Sequence, residues 1–162
     1  LYELIRAGAR QILVLNVPDI SQTPEVRGGN PEVAKVAKAE VDAYNASLIE
    51  IVNGLNDYQT PDNIKMNIML FDIHTLFDKM LSDPASYGMH VTDKSCVDNL
   101  VDDFTNYSTA HPRRRPECSV VDAKGWVFWD AIHPTTAIHK QLADGAYKVV
   151  QPLFLPPSAI SD

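Results

Sequence analysis

Asp130 and His133 stand three residues apart in "GWVFWDAIHPTTAIHKQLADG", Gly125 to Gly145, with Pro134 and Thr135 directly behind them. An imidazole works best as a general base when its second ring nitrogen donates to a carboxylate. That bond fixes the tautomer and stabilises the imidazolium that forms. Three residues on one loop let a single turn aim the two groups at each other. Pro134 restricts the backbone of His133 to extended or turn geometry. Thr135 or Thr136 stands where it could cap a following helix and tie the loop to a rigid element. The spacing alone carries little, because 15 Asp and 5 His in 162 residues give about half such a match by chance. On the residues alone, Asp130 as a turn former and His133 as a half-buried polar side chain is the simpler reading.

A pair of this kind needs a scaffold. "QILVLNV", Gln11 to Val17, is a nearly continuous apolar run, which predicts a strand buried on both faces of a parallel sheet. After the loop "PDISQTPEVRGGN", Asn30-Pro31 offers an N-cap and a first-turn proline. Val33, Val36, Ala37, Val41, Tyr44, Leu48, Ile51, Val52 and Leu55 then recur at helical spacing, predicting an amphipathic helix of about seven turns. "IKMNIMLFDI" follows as a second strand, and "HTLFDKMLSDP" as a helix stopped before Pro84. Strand, helix and strand in that order imply a right-handed parallel crossover. From Ala85 to Asp122 the chain is polar and irregular. A short strand around Trp126 to Trp129 precedes a helix from about Thr135 to Val150, with Ile138, Leu142, Ala146, Val149 and Val150 as its inner stripe. "QPLFLPPSAISD" reads as a tail.

The chain is long enough for one ordinary domain and gives no sign of two. A complete three-layer domain usually holds more than two or three strands. The chain also opens on an amphipathic segment already under way, without an initiator Met. Both features read as a cut edge, so the expected partner is an N-terminal segment of the same protein. The net charge of −7 and a pI near 5.1 argue against a nucleic-acid surface. The apolar runs are too short to span a bilayer. Cys96 and Cys118 are either two unrelated thiols or a disulfide closing the polar loop, and a disulfide suits an oxidising compartment. Neither has a CxxC or CxxH neighbour, and "DIH" at Asp72 to His74 offers too few ligands, so no metal or other cofactor is expected. His74, His90, His111 and His139 show no carboxylate at useful spacing and read as solvated or capping residues. "HPRRRPEC", His111 to Cys118, is the one basic cluster. It fits an exposed loop, a nicking site for a protease around Arg113 to Arg115, or a weak contact with anionic headgroups. Trp126, Phe128 and Trp129 read mainly as core, with one aromatic left over for an acyl chain.

"FWDAIHPT", Phe128 to Thr135, resembles the last conserved block of the GDSL family of SGNH hydrolases, whose pattern there is Asp-x-x-His-Pro-Thr. The likeness continues upstream in "LIRAGARQILVLNVPDISQTPE", "VDAYNASLIEIV" and "LFDIHTLFDKMLSDPASYGM", in the family's order. It covers nearly the whole chain as the C-terminal half of the domain, residues 1–162. In detail it is nearest to bacterial secreted lipases, lysophospholipases and glycerophospholipid–cholesterol acyltransferases, while plant GDSL esterases share several segments. The resemblance implies an α/β class, specifically a flavodoxin-like three-layer α/β/α sandwich with a parallel sheet. It implies Asp130 as the orienting acid and His133 as the general base. The family's nucleophilic Ser and the Gly and Asn of its oxyanion hole have no counterpart here, so they are expected on the N-terminal segment. "GGNP", Gly28 to Pro31, lies in the wrong order for the Asn block and reads as a helix cap. The expected activity is therefore hydrolysis, or acyl transfer, of lipid esters by a secreted enzyme. An acetyl esterase of polysaccharides with the same fold and a non-catalytic subunit stay open as alternatives.

Overall fold

The computed structural model describes residues 1–58, 65–98, 113–119 and 122–154. After a short helix α1 (Tyr2–Arg6), strand β1 (Gln11–Leu15) leads through a loop and the short helix α2 (Pro24–Gly28) to the long helix α3 (Pro31–Asp57). Strand β2 (Asn67–Phe71) returns beside β1, in parallel, with Gln11 opposite Asn67 and Leu15 opposite Phe71. Helix α4 (Ile73–Ser82) follows at once. Strands β3 (Val91–Ser95) and β6 (Trp126–Phe128) form a second parallel pair, and the two-residue strands β4 (Val97–Asp98) and β5 (Arg113–Arg114) pair antiparallel. Helix α5 (Thr136–Val150) closes the order. The α/β class with parallel strands is thus the one the family resemblance implies. Among the described residues the strands come as two-stranded units.

Local sequence explains these elements. Asn30 caps α3 by accepting the Glu32 N–H at 2.9 Å, with Pro31 in the first turn, as "GGNP" predicts. Asp72 caps α4 through Thr75 N–H, and that helix ends before Pro84. The apolar stripe of α3, however, is narrower than its sequence suggests. Val41, Leu48 and Val52 are buried, whereas Val33, Val36, Tyr44 and Ile51 are exposed. Asn45 completes the buried row in their place. The helix buries the row 41, 45, 48, 52, and Leu48 and Val52, with the half-buried Leu55, pack against Met66 and Ile68.

Strand β1 also departs from expectation. It is half-buried rather than enclosed on both faces, and Leu15 is 46% exposed. Its pairing is with β2 alone among the described residues, so its other edge has no strand partner there. A second core joins α4, α5 and β6 through Phe77, Met80, Met89, Val127, Phe128 and Ile138. The third surrounds the Cys96–Cys118 disulfide with Val97 and Trp126. Trp126 and Phe128 are core residues and Trp129 is exposed, in line with the division expected of the three aromatics. His111 and the tail beyond Phe154 lie outside the described residues.

Candidate active site

The loop from Trp129 to Thr135 joins β6 to α5 and folds back on itself. The Trp129 N–H donates to His133 O at 2.8 Å, and Phe128 and Pro134 form an isolated antiparallel bridge. Inside that turn, Asp130 Oδ1 accepts the backbone N–H groups of Ile132, at 2.9 Å, and His133, at 2.6 Å. This is the Asx-type turn that a short acidic side chain forms with its own backbone. The same carboxylate faces the His133 ring, with Nδ1 at 3.0 Å from Oδ1 and 2.8 Å from Oδ2. The turn-former reading and the acid–base reading of Asp130 therefore describe one arrangement. Its carboxylate does both.

Burial differs sharply across the pair. The Asp130 side chain is 10% exposed and the His133 ring 72% exposed. Burial pushes the Asp130 carboxyl up, but the His133 and Ile132 backbone N–H groups and the imidazole outweigh it. The net result holds that carboxyl below its ordinary value. An ionised Asp130 accepts Nδ1–H, so the neutral ring keeps its lone pair on Nε2. A fixed carboxylate and an exposed, basic Nε2 are what proton abstraction from a hydroxyl requires.

Three neighbours hold the loop in place. Glu25 N–H at the start of α2 donates to Ala131 O at 2.9 Å. From the disulfide side, Cys96 N–H donates to Phe128 O at 3.0 Å and Val97 N–H to Trp129 O at 2.8 Å. Thr135 does stand at the N-cap of α5, but its hydroxyl makes no cap bond and donates instead to Trp126 O at 2.7 Å. The expected cap is replaced by a tie from the helix start to the strand. Of the two readings of Cys96 and Cys118, the disulfide is the one formed, with Cα atoms 5.4 Å apart.

A second polar cluster escapes sequence reasoning. Asn45 Oδ1 accepts the Val17 N–H at 2.9 Å, and its Nδ2 donates to Val17 O at 2.8 Å. Asn16 Nδ2 donates to Asp72 Oδ1 at 2.7 Å, while Asn16 Oδ1 accepts the His74 N–H. His74 is also not the lone histidine its sequence neighbours imply. Its Nε2 lies 3.5 Å from Asp78 and 4.0 Å from Asp42, one on its own helix and one on α3. The readable signal was Asn45, a polar residue on the buried row of α3. His90 and His139 are exposed, as expected. Among the described residues no group of three His, Cys, Asp or Glu side chains is arranged to hold a metal. Arg113 and Arg114 are exposed and sit in β5, and Lys94 pairs with Glu117 beside them at 3.0 Å.

The chain has relatives among known proteins. The sequence model described as GDSL-like Lipase/Acylhydrolase matches residues 1–146. Over 144 residues the chain is 31% identical to a thermolabile hemolysin of Vibrio parahaemolyticus, covering 89% of this chain and 33% of the hemolysin. It is 26% identical over 178 residues to a phosphatidylcholine-sterol acyltransferase of Aeromonas hydrophila, covering 91% of this chain and 50% of that protein. A GDSL esterase/lipase of Arabidopsis thaliana is 28% identical, over 89% of this chain and 38% of its own length. The chain thus spans between a third and a half of the length of these relatives.

Proposed function

The chain belongs to the GDSL-like lipase/acylhydrolase family, and from that premise we propose that it supplies the acid–base arm of a serine hydrolase acting on lipid acyl esters. The observation that carries this reading is the Asp130–His133 contact, with both carboxylate oxygens within 3.0 Å of Nδ1. The names of two relatives, an acyltransferase and an esterase/lipase, support an ester as substrate.

The nucleophilic Ser lies on an N-terminal segment of the same protein, together with the Gly and Asn of the oxyanion hole. His133 Nε2 takes the Ser hydroxyl proton as the oxygen attacks the ester carbonyl. Asp130 holds the ring and stabilises the imidazolium. Backbone and side-chain donors on the N-terminal segment stabilise the tetrahedral oxyanion. When the intermediate collapses, the imidazolium returns its proton to the leaving alcohol and an acyl-enzyme remains. Water then completes hydrolysis, or a second alcohol accepts the acyl group. The disulfide supports placement in an oxidising compartment, so we assign the enzyme to the periplasm or the extracellular space.

The test is His133→Ala in the full-length protein, assayed on lysophospholipid and p-nitrophenyl esters. Loss of a triad His costs about 10³-fold or more in kcat. Hydrolysis within tenfold of wild type would remove His133 from the mechanism.

A further inference from the structure

A cavity of about 190 Å³ opens beside the dyad. Parallel α/β sheets bind ligands outside the carboxyl ends of their strands, and this cavity sits at three such ends. Ile20 comes from the loop after β1, Ile73 from the start of α4 just after β2, and Ile132 and Pro134 from the loop after β6. The last two flank His133 in the chain. Ile20 is 41% exposed and marks the mouth, whereas Phe77 is buried in the α4–α5 core and marks the inner end, with Leu142 beside it.

Two polar residues line the cavity, and both are engaged within their own loop. Asp19 Oδ1 accepts the Ser21 N–H at 2.9 Å. The Thr23 hydroxyl donates to Ile20 O at 2.8 Å and accepts the Val26 N–H at 3.4 Å. The remaining walls are hydrocarbon. Water in such a space finds few partners, and an apolar guest is favoured.

We propose that this cavity binds the acyl chain of the ester and gauges its length, with Leu142 and Phe77 as the stop. The assignment rests on the ester-hydrolase reading for its substrate, but the cavity itself stands on the packing. An apolar cavity of about 150 Å³ accommodates benzene, so this one holds about eight carbons. Acyl groups near that length fill it, and longer chains must leave through the mouth or bend.

The experiment uses the full-length protein and two opposite changes at one position. Leu142→Phe fills the inner end and Leu142→Ala deepens it. On p-nitrophenyl esters, Leu142→Phe is expected to lower the octanoyl-to-acetyl ratio of kcat/KM at least tenfold. Leu142→Ala is expected to move the preferred chain about two carbons longer. Ile20→Trp, at the exposed mouth and away from the core, is a third variant and should lower the same ratio. Saturation-transfer NMR with octan-1-ol reads the cavity without any catalysis, and the signal should vanish in Leu142→Phe. A ratio within twofold of wild type in all three variants, or an unchanged octanol signal in Leu142→Phe, overturns the proposal. If His133→Ala retained hydrolysis while octanol binding still followed residue 142, the acid–base assignment would fall and the cavity would stand.

Discussion

Asp130 does three things with one carboxylate: it closes a turn, orients a ring and carries a charge. Asp130→Asn separates them. The amide oxygen still accepts the Ile132 and His133 N–H groups, but its Nδ2 now donates toward His133 Nδ1 and forces the proton onto Nε2. A base with the wrong tautomer loses about 10⁴ in kcat while substrate affinity is kept, so steady-state kinetics should show the fall in kcat with KM little changed. A kcat within tenfold of wild type would show that Asp130 does not orient the base. Acid titration offers a second measurement at this scale. The Asp72 carboxyl is raised by burial but lowered further by the Thr75 and Asn16 hydrogen bonds, so it too stands below the ordinary carboxylate value. Both carboxyls therefore stabilise the fold at pH values above about 3.8, and that contribution is lost as pH falls through their lower folded values. Thermal melts between pH 6 and pH 2.5 should steepen below about pH 4, and Asp72→Asn should flatten part of that slope.

At the scale of elements, the positions of two residues run against simple pattern. Asn45 interrupts an apolar row of α3, and Leu there would complete it. We expect Asn45→Leu to destabilise by about 2 kcal/mol all the same, because the half-buried Val17 N–H loses its partner and the Val17 C=O keeps only the His74 ring, at 3.2 Å. A rise in the urea midpoint would refute that account. Gly145 lies within α5 where that helix crosses β2; a Cβ there would meet the Phe71 Cζ at 2.6 Å and Leu76 Cδ2 at 3.4 Å. Ala recovers about 1 kcal/mol of helix propensity but overpacks by typically 1–3, so Gly145→Ala should lower stability by about 1 kcal/mol in chemical denaturation. The elements themselves were legible. Caps at Asn30 and Asp72, helical spacing along α3 to α5 and the short strands at β1, β2 and β6 all follow from local chemistry. The register of burial on α3 was not, because Val33, Val36 and Ile51 look like core until a partner face is known. The His74 contact with Asp42 was equally hidden, since Asp42 lies on another helix, whereas Asp78, four residues on in the same helix, was within reach of the spacing.

For the molecule as a whole, the Asp130–His133 pair shows where a local signal ends. Three residues of spacing fixed the contact, but its anchors come from α2 and β4, distant in sequence, and no periodicity announces them. The disulfide is the strongest of these long-range ties. Unfolding the unreduced protein and titrating thiols should find neither Cys96 nor Cys118 reactive. Replacing both by Ser should cost about 3 kcal/mol by the chain-entropy estimate, read as a lower denaturation midpoint. Because Cys96 and Val97 bond directly to the carbonyls of Phe128 and Trp129, the covalent knot and the acid–base loop share one anchor point. Both bonds are made by the first cysteine and the residue directly after it, at the start of the closed loop. Doubling the length of a closed loop costs only about 0.6 kcal/mol, so residues inserted beyond Val97 should leave His133 in its place at little cost.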